Sequence, residues 1–394
     1  MQTLPRPSRW SFKWSLTAAG AAVVLTTVAP SAGADPAPHT ATQDAVTQYQ
    51  ITNEAPGAGI TVRDHAALWS VASGSGVIGQ ARPIGRGTRA HIGSLTKTYT
   101  AAMVLQLVAE GRVALDTSVE TYLPGVVDGN GYDGSKITVR QLLNHTSGIA
   151  DYMTVGGGFN PVNQLHPHTL AEVASWGLAE KPLFAPGTST QYSDTNAILA
   201  GMIIEKVTGH SYAQELATRI TTPLGLADTY LPTPGDKTMP AGSERGYLTK
   251  KVLGSLFFVD VTEVAEPSVG GSGGGLVSSG ADQTRFLQAL LAGQVVPPAQ
   301  LAEMLTVAPV PDKLSGDYFG LGLVRFTLPC GGQAWGHYGE WPGYTSIAAA
   351  TTGGRSAFAT LNVTPTAGSS AGSGSGGPGM GERVPMNTAL CDQG

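Results

Sequence analysis

Charge is scarce in this chain. Only 13% of its 394 residues are Asp, Glu, Lys or Arg, against 41% hydrophobic residues, and the net charge of −5 is spread without long runs of one sign. No basic stripe of the kind that neutralises phosphate backbones or anionic lipid is present, which excludes nucleic acid as a partner. Cysteine is scarcer still, with two residues, Cys330 and Cys391. The fold must therefore rest on a buried apolar core, which the length and hydrophobic content allow. Beyond the first thirty residues no run reaches the roughly 20 apolar residues that span a bilayer.

The apolar run at the start is short. Arg6, Arg9 and Lys13 precede it, it extends from Leu16 to Ala29, and Ala32-Gly33-Ala34 follow. That order predicts a secretory signal peptide over 1–34, cleaved after Ala34, then a linker over 35–44 and an exported protein without a stable membrane anchor. An oxidising exterior favours pairing Cys330 with Cys391. The Gly/Ser-rich segment 366–381 between them has too few apolar side chains to fold alone and reads as a flexible surface insertion.

In "GAGITVRD" and "AALWSVAS" small or apolar residues alternate with polar ones, as in a strand hairpin. Leu95 to Ala109 shows helical spacing, with Gly111 as a stop. "ITVRQLLNHTSGI", "TLAEVASWGLAE", "NAILAGMIIEKVTG", "SYAQELATRI" and "ADQTRFLQALLAG" predict further helices, the third ending at Gly209. The runs "YFGLGLVRF", "QAWGHYG", "YTSIAAATT" and "RSAFATLNV" predict an antiparallel meander. Strands at both ends with helices between imply an α/β part (45–115 and 275–394), an all-α part (116–274), and a cleft between them.

Ser94 and Lys97 stand three residues apart at the helix start, so their side chains share one face. The positive end of the helix dipole favours an alkoxide-like nucleophile, and a desolvated lysine can take its proton. Taken alone, the pair reads more readily as an ordinary helix start with a serine cap. Tyr192 and Asp194, in "QYSDTN", lie in a turn before a helix, where a phenol can project into a cleft or pack in the core. His337, in "GHYGEWPG", lies on a strand, followed by Gly339, which permits close approach of a bound acyl group. Ser272 and Ser370 satisfy G-x-S-x-G, but Ser272 lacks a good strand before it and Ser370 lies in the low-complexity segment. His166 and His168 lack a third metal ligand, and His145 reads as a structural hydrogen-bonding residue.

The order Ser-x-x-Lys, Tyr-x-Asp, His-x-Gly, with "LLNHTSGI", "FAPGT", "GGGLVSS" and "YFGLGL" around it, resembles the penicillin-recognising serine hydrolases. These comprise class C β-lactamases, D-alanyl-D-alanine carboxypeptidases and their esterase and D-peptidase relatives. The resemblance covers most of 45–365 and is greatest to secreted actinobacterial-type carboxypeptidases, which carry a similar cysteine pair. It implies a β-lactamase/transpeptidase-like fold: an antiparallel sheet flanked by helices, built from both chain ends, with an inserted helical domain. By position, Ser94 resembles the acylated nucleophile, Lys97 its base, Tyr192 the proton carrier and His337 the cationic or hydrogen-bonding group of the third motif. The backbone amides of Ser94 and Glu340 would form the oxyanion hole. The substrate would be a small molecule or peptide: a peptidoglycan stem peptide, an ester or a β-lactam. Hydrolysis would need no metal or cofactor, and a monomer would suffice. A penicillin-binding sensor that acylates without turnover is the non-enzymatic alternative.

Three positions depart from the common pattern: Asp194 replaces an Asn and so loses an amide donor that in the family helps hold the substrate's amide side chain, Tyr338 fills space beside the acyl group, and Glu340 brings a carboxylate. If Glu340 lines the cleft it opposes a substrate carboxylate by about 4 kcal/mol at 4 Å and an effective dielectric near 20. Arg325, on the preceding strand, could offset that if it points inward. In a secreting host the chain should accumulate in the medium with Asp35 as its first residue; N-terminal sequencing that finds residues 1–34 retained would refute the leader.

Overall fold

The alternation at the start of the chain is realised as a hairpin of β1 (Gly57–Asp64) and β2 (Ala67–Gly74), paired from Gly57↔Gly74 to Asp64↔Ala67. Five strands from the far end join it: β3 (Tyr318–Phe319), β4 (Val324–Thr327), β5 (Gln333–Trp341), β6 (Tyr344–Ala350) and β7 (Arg355–Leu361). Together they make one antiparallel sheet in the order β2-β1-β7-β6-β5-β4-β3. The computed structural model describes residues 39–154, 158, 160–364 and 380–392. The expected leader (1–34), residues 35–38 of the expected linker, and residues 366–379 of the Gly/Ser-rich segment, Ser370 included, lie outside the described residues.

Both faces of the sheet are covered by helices. On one face α1 (Thr40–Thr52) packs with the C-terminal helix, and Val46, Tyr49 and Met386 meet Ile60, Val62, Ile347 and Ala359. On the other, α2 (Thr96–Ala109) joins α3 (Leu170–Leu178), α4 (Asp194–Thr208), α5 (Pro267–Gly274) and α6 (Gly280–Leu291) in a second core. The C-terminal helix is α7 (Met380–Cys391). Residues 96–105 of α2 are buried without exception, as expected of a helix enclosed on all sides. Tyr99 stacks on Phe286 of α6 with centroids 3.7 Å apart and rings 11° from parallel.

Local signals explain where the helices stop and start. Thr169 and Glu172 form a capping box at the head of α3. The helix expected over "ITVRQLLNHTSGI" is confined to Val139–Leu143, because Thr138 caps it and His145 takes a left-handed φ of 60°. The linker expected over 35–44 is corrected from Thr40 onward, where α1 begins. Only Thr42, Val46 and Tyr49 of that helix are buried, a stripe at i, i+4 and i+7 too narrow to stand out in a polar stretch. The Gly-rich "SVGGSGGG" supplies α5, and Val277–Ser279 after it pairs with Arg89–His91.

Cys330, between β4 and β5, is bridged to Cys391 at the end of α7 with a Cα separation of 5.8 Å. The bridge spans 61 residues of sequence, and in the chain-entropy model closing such a loop contributes about 4 kcal/mol. Replacing both cysteines by alanine should lower the unfolding free energy by about that amount in a urea titration. An unchanged midpoint would show that the bridge adds nothing.

Candidate active site

The site begins at a turn, Gly93–Leu95, that feeds directly into α2. Gly93 has φ of 52°, and a Cβ there would lie 2.3 Å from the carbonyl oxygen of Glu340 and 2.6 Å from its amide nitrogen. Only glycine lets the turn press so closely on β5, and that contact sets Ser94 beside the Glu340 backbone. Gly339 serves the same contact: its Cβ would stand 1.9 Å from the carbonyl oxygen of Ile92. The room expected there for an acyl group is thus taken by the chain itself.

Lys97 and Tyr192 converge on Ser94. The Lys97 Nζ donates to Ser94 Oγ at 2.9 Å, and the Tyr192 hydroxyl donates to the same oxygen at 2.6 Å. Lys97 is 3% exposed. Its amino group also donates to Asp194 Oδ1 and, at 2.7 Å, to the carbonyl oxygen of Gly273. The same nitrogen lies 4.8 Å from the centre of the Tyr192 ring. Burial pushes the Tyr192 phenol well above its ordinary range, and the charge of Asp194 adds to that, so it remains a proton donor. Asp312 accepts from the Tyr192 amide at 2.7 Å and fixes the turn.

Three expectations need correction. Asp194, expected only to lose a substrate contact, is bound to Lys97. His337 is not a cation: burial, with Lys97 adding, pushes its pKa down to about 3. Its Nδ1 donates to the Tyr338 carbonyl at 2.6 Å, leaving Nε2 buried without a hydrogen-bond partner among the described residues. Arg325 stacks over Tyr318, 4.8 Å from its centroid, and no hydrogen bond or ion pair joins it to Ser94, Lys97 or Glu340 among the described residues. Strand pairing sets Arg325 opposite Trp335, well along β5 from Glu340.

Tyr338 is buried in the sheet core, 6.4 Å from Tyr192 between ring centres, so it backs the tyrosine rather than lining an open pocket. The Glu340 side chain is exposed, on the face of β5 opposite Gly339. Desolvation pushes its carboxyl up to about 7, and the charge of Asp194 adds to the shift.

Some contributors carry no sequence signal. The Gly273 carbonyl is main chain and could not be read from side-chain chemistry. Asp151 accepts from the amides of Asp194 and Met153, and burial, with Asp194 adding, pushes it up to about 7. His145 is buried and accepts at Nδ1 from the Ser193 amide, matching its structural reading. Ser272 is fully buried in α5 and donates to the Ala197 carbonyl at 2.9 Å, which removes it as a nucleophile elbow. His168 bonds the Asn163 carbonyl and packs edge-on against Trp176.

An antiparallel sheet with Ser94, Lys97 and Tyr192 gathered at the head of a buried helix defines the fold class of the β-lactamase and transpeptidase serine hydrolases. The β-lactamase family model matches residues 42–370, and the chain belongs to that family. It is 38% identical to a D-stereospecific amidohydrolase from a Streptomyces species (TM-score 0.73, covering 82% of this chain and 94% of that one). A D-amino acid amidase from Ochrobactrum anthropi SV3, complexed with L-phenylalanine amide, superposes with a TM-score of 0.75 at 26% identity, over 89% and 97% of the two chains. Penicillin-binding protein 4* of Bacillus subtilis strain 168 is 30% identical over 276 residues, 68% of this chain. The chain spans only 58% of that relative's length.

Gly93→Ala should force the Ser94 turn off β5. If the Ser94 and Glu340 amides act together on the substrate, hydrolysis should fall roughly 100-fold or more. Steady-state kinetics on a chromogenic ester measure this, and an alanine variant with wild-type rates would disprove the role assigned to the close contact.

Proposed function

We propose that the protein hydrolyses amide or peptide bonds of D-amino acid derivatives through an acyl-enzyme on Ser94. The observation that carries this reading is the convergence of Lys97 Nζ and the Tyr192 hydroxyl on Ser94 Oγ. Oγ attacks the substrate carbonyl as its proton passes to Lys97, whose amine can take it once one of its own three protons has moved to the Asp194 carboxylate, and the carbonyl oxygen becomes an oxyanion held by the amides of Ser94 and Glu340. Collapse breaks the C–N bond, and the leaving amine takes its proton from Tyr192, which Lys97 replenishes. Water then attacks the ester by the reverse path and frees Ser94. The Streptomyces and Ochrobactrum relatives support the D-configured substrate. Export, if the leader acts as expected, would set this activity outside the cell.

A second reading, a D-alanyl-D-alanine carboxypeptidase that recognises penicillin, is favoured by the Bacillus relative. The charges of the cleft weigh against it, since a terminal carboxylate would meet Glu340 and find neither a charged His337 nor Arg325 to offset the repulsion.

The test compares wild type with Ser94→Ala on D- and L-phenylalanine amide, followed by chromatography, and records intact mass after exposure to benzylpenicillin. Wild type should release D-phenylalanine at least about tenfold faster than the L-isomer, and the alanine variant should release neither. Equal rates in the two proteins would remove Ser94 from the mechanism. A stable penicillin adduct with no amide turnover would favour the sensor, and rapid cleavage of D-Ala-D-Ala the carboxypeptidase.

A further inference from the structure

Two carboxylates, Asp194 and Glu340, stand near enough for one to feel the charge of the other, and they are not equivalent. Asp194 is engaged by Lys97. Glu340 stands on the strand that presses against Gly93, so its main chain borders the position of the scissile carbonyl. No described lysine, arginine or charged histidine pairs with its side chain. The charge that acts on it is that of Asp194 at the head of α4, itself engaged by Lys97 of α2; on β5 His337 is neutral, and the residue paired with Glu340 on β6, Thr345, carries no charge.

A carboxylate partly desolvated, repelled by a second one and with no cation of its own, is destabilised in the free protein and stabilised when a cation approaches. We propose that Glu340 is a specificity-determining residue that receives an ammonium group carried by the substrate next to the scissile carbonyl and turns away substrates with a carboxylate there. The class selected is amides, esters or peptides of D-amino acids with a free amino terminus. The assignment rests on the acyl-enzyme reading above. It extends that reading by naming the charge the substrate must carry.

Desolvation, with the charge of Asp194 adding, pushes the Glu340 carboxyl up to about 7, so its charge, and with it the preference for a cationic substrate, grows as pH rises through that value. The α-amine of the substrate loses its own charge above about 8. Discrimination should therefore be greatest between about 7 and 8 and fall on both sides.

The experiment measures kcat/KM for D-phenylalanine amide and for N-acetyl-D-phenylalanine amide in wild type and Glu340→Gln. Wild type should favour the free amine, and the glutamine variant should lose roughly tenfold of that ratio, whatever its absolute rates. In wild type alone the ratio should shrink between about pH 7.5 and pH 5.5, which keeps the test open if the variant does not fold. Binding constants for both compounds, measured by calorimetry in a Ser94→Ala background with and without Glu340→Gln, separate the two layers of the argument. If Ser94→Ala retains wild-type turnover, the acyl-enzyme reading fails while the binding ratio still reports on Glu340. An identical ratio in the presence and absence of the Glu340 carboxylate, or a wild-type preference for the acetylated compound, overturns the assignment.

Discussion

The amino group of Lys97 is the point on which the site is assembled. A lysine 3% exposed would cost several kcal/mol without partners. Its three acceptors come from three places in the chain: Ser94 in the turn before α2, Asp194 at the head of α4, and the Gly273 carbonyl of α5. Satisfying one buried nitrogen therefore fixes the relative positions of three helical segments. Neighbouring bonds brace the same junction, with Thr100 of α2 donating to the Ser272 carbonyl and Ser272 to the Ala197 carbonyl of α4. Gly271, at φ 42° and ψ −132°, breaks the helical path of α5 and turns the following residues toward Lys97. The glycine run is thus structural, as its lack of a preceding strand suggested.

The electrostatics around that nitrogen are uneven. Asp194, Asp151 and Glu340 bring three acids to the region, while the histidine opposite is held neutral by burial. Lys97 answers Asp194. Asp151 is held by backbone amides and driven toward its neutral form. Tyr192, raised by burial and by Asp194, keeps its proton and can only donate at rest. The site thus has one buried amine, one reluctant phenol and an outer carboxylate at the cleft, a distribution that favours cationic or neutral substrates over anionic ones.

Much of this was legible in the sequence because it depended on local rules. The Ser94 and Lys97 spacing, the turn before Tyr192, the end of α4 at Gly209 and the alternating strands all follow from periodicity and turn chemistry. What escaped was set by long-range packing. Asp194 read as a loss of substrate contact because nothing in "YSD" announces a lysine 97 residues earlier in the chain. His337 looked like a candidate cation because the resemblance offered it a cationic or hydrogen-bonding role, and its burial cannot be read from a short strand motif. Helix α1 was hidden because a helix needing only three buried residues looks like a polar linker.

The register of β5 ties catalysis to selectivity. Pairing of His337 with Ala348, Gly339 with Ser346 and Glu340 with Thr345 sends Gly339 toward Ile92 and Glu340 toward the opposite face. The Ser346 hydroxyl donates to the Ile92 carbonyl at 3.2 Å and pins the Ser94 turn to the sheet. A slip of one residue would reverse every face and destroy the contact with Gly93. Because the sheet, rather than the side chain, holds residue 340 in place, its amide stays beside Ser94 while its side chain is free to vary. Residue 340 can thus alter the charge met by a substrate without moving the main chain that would bind the oxyanion.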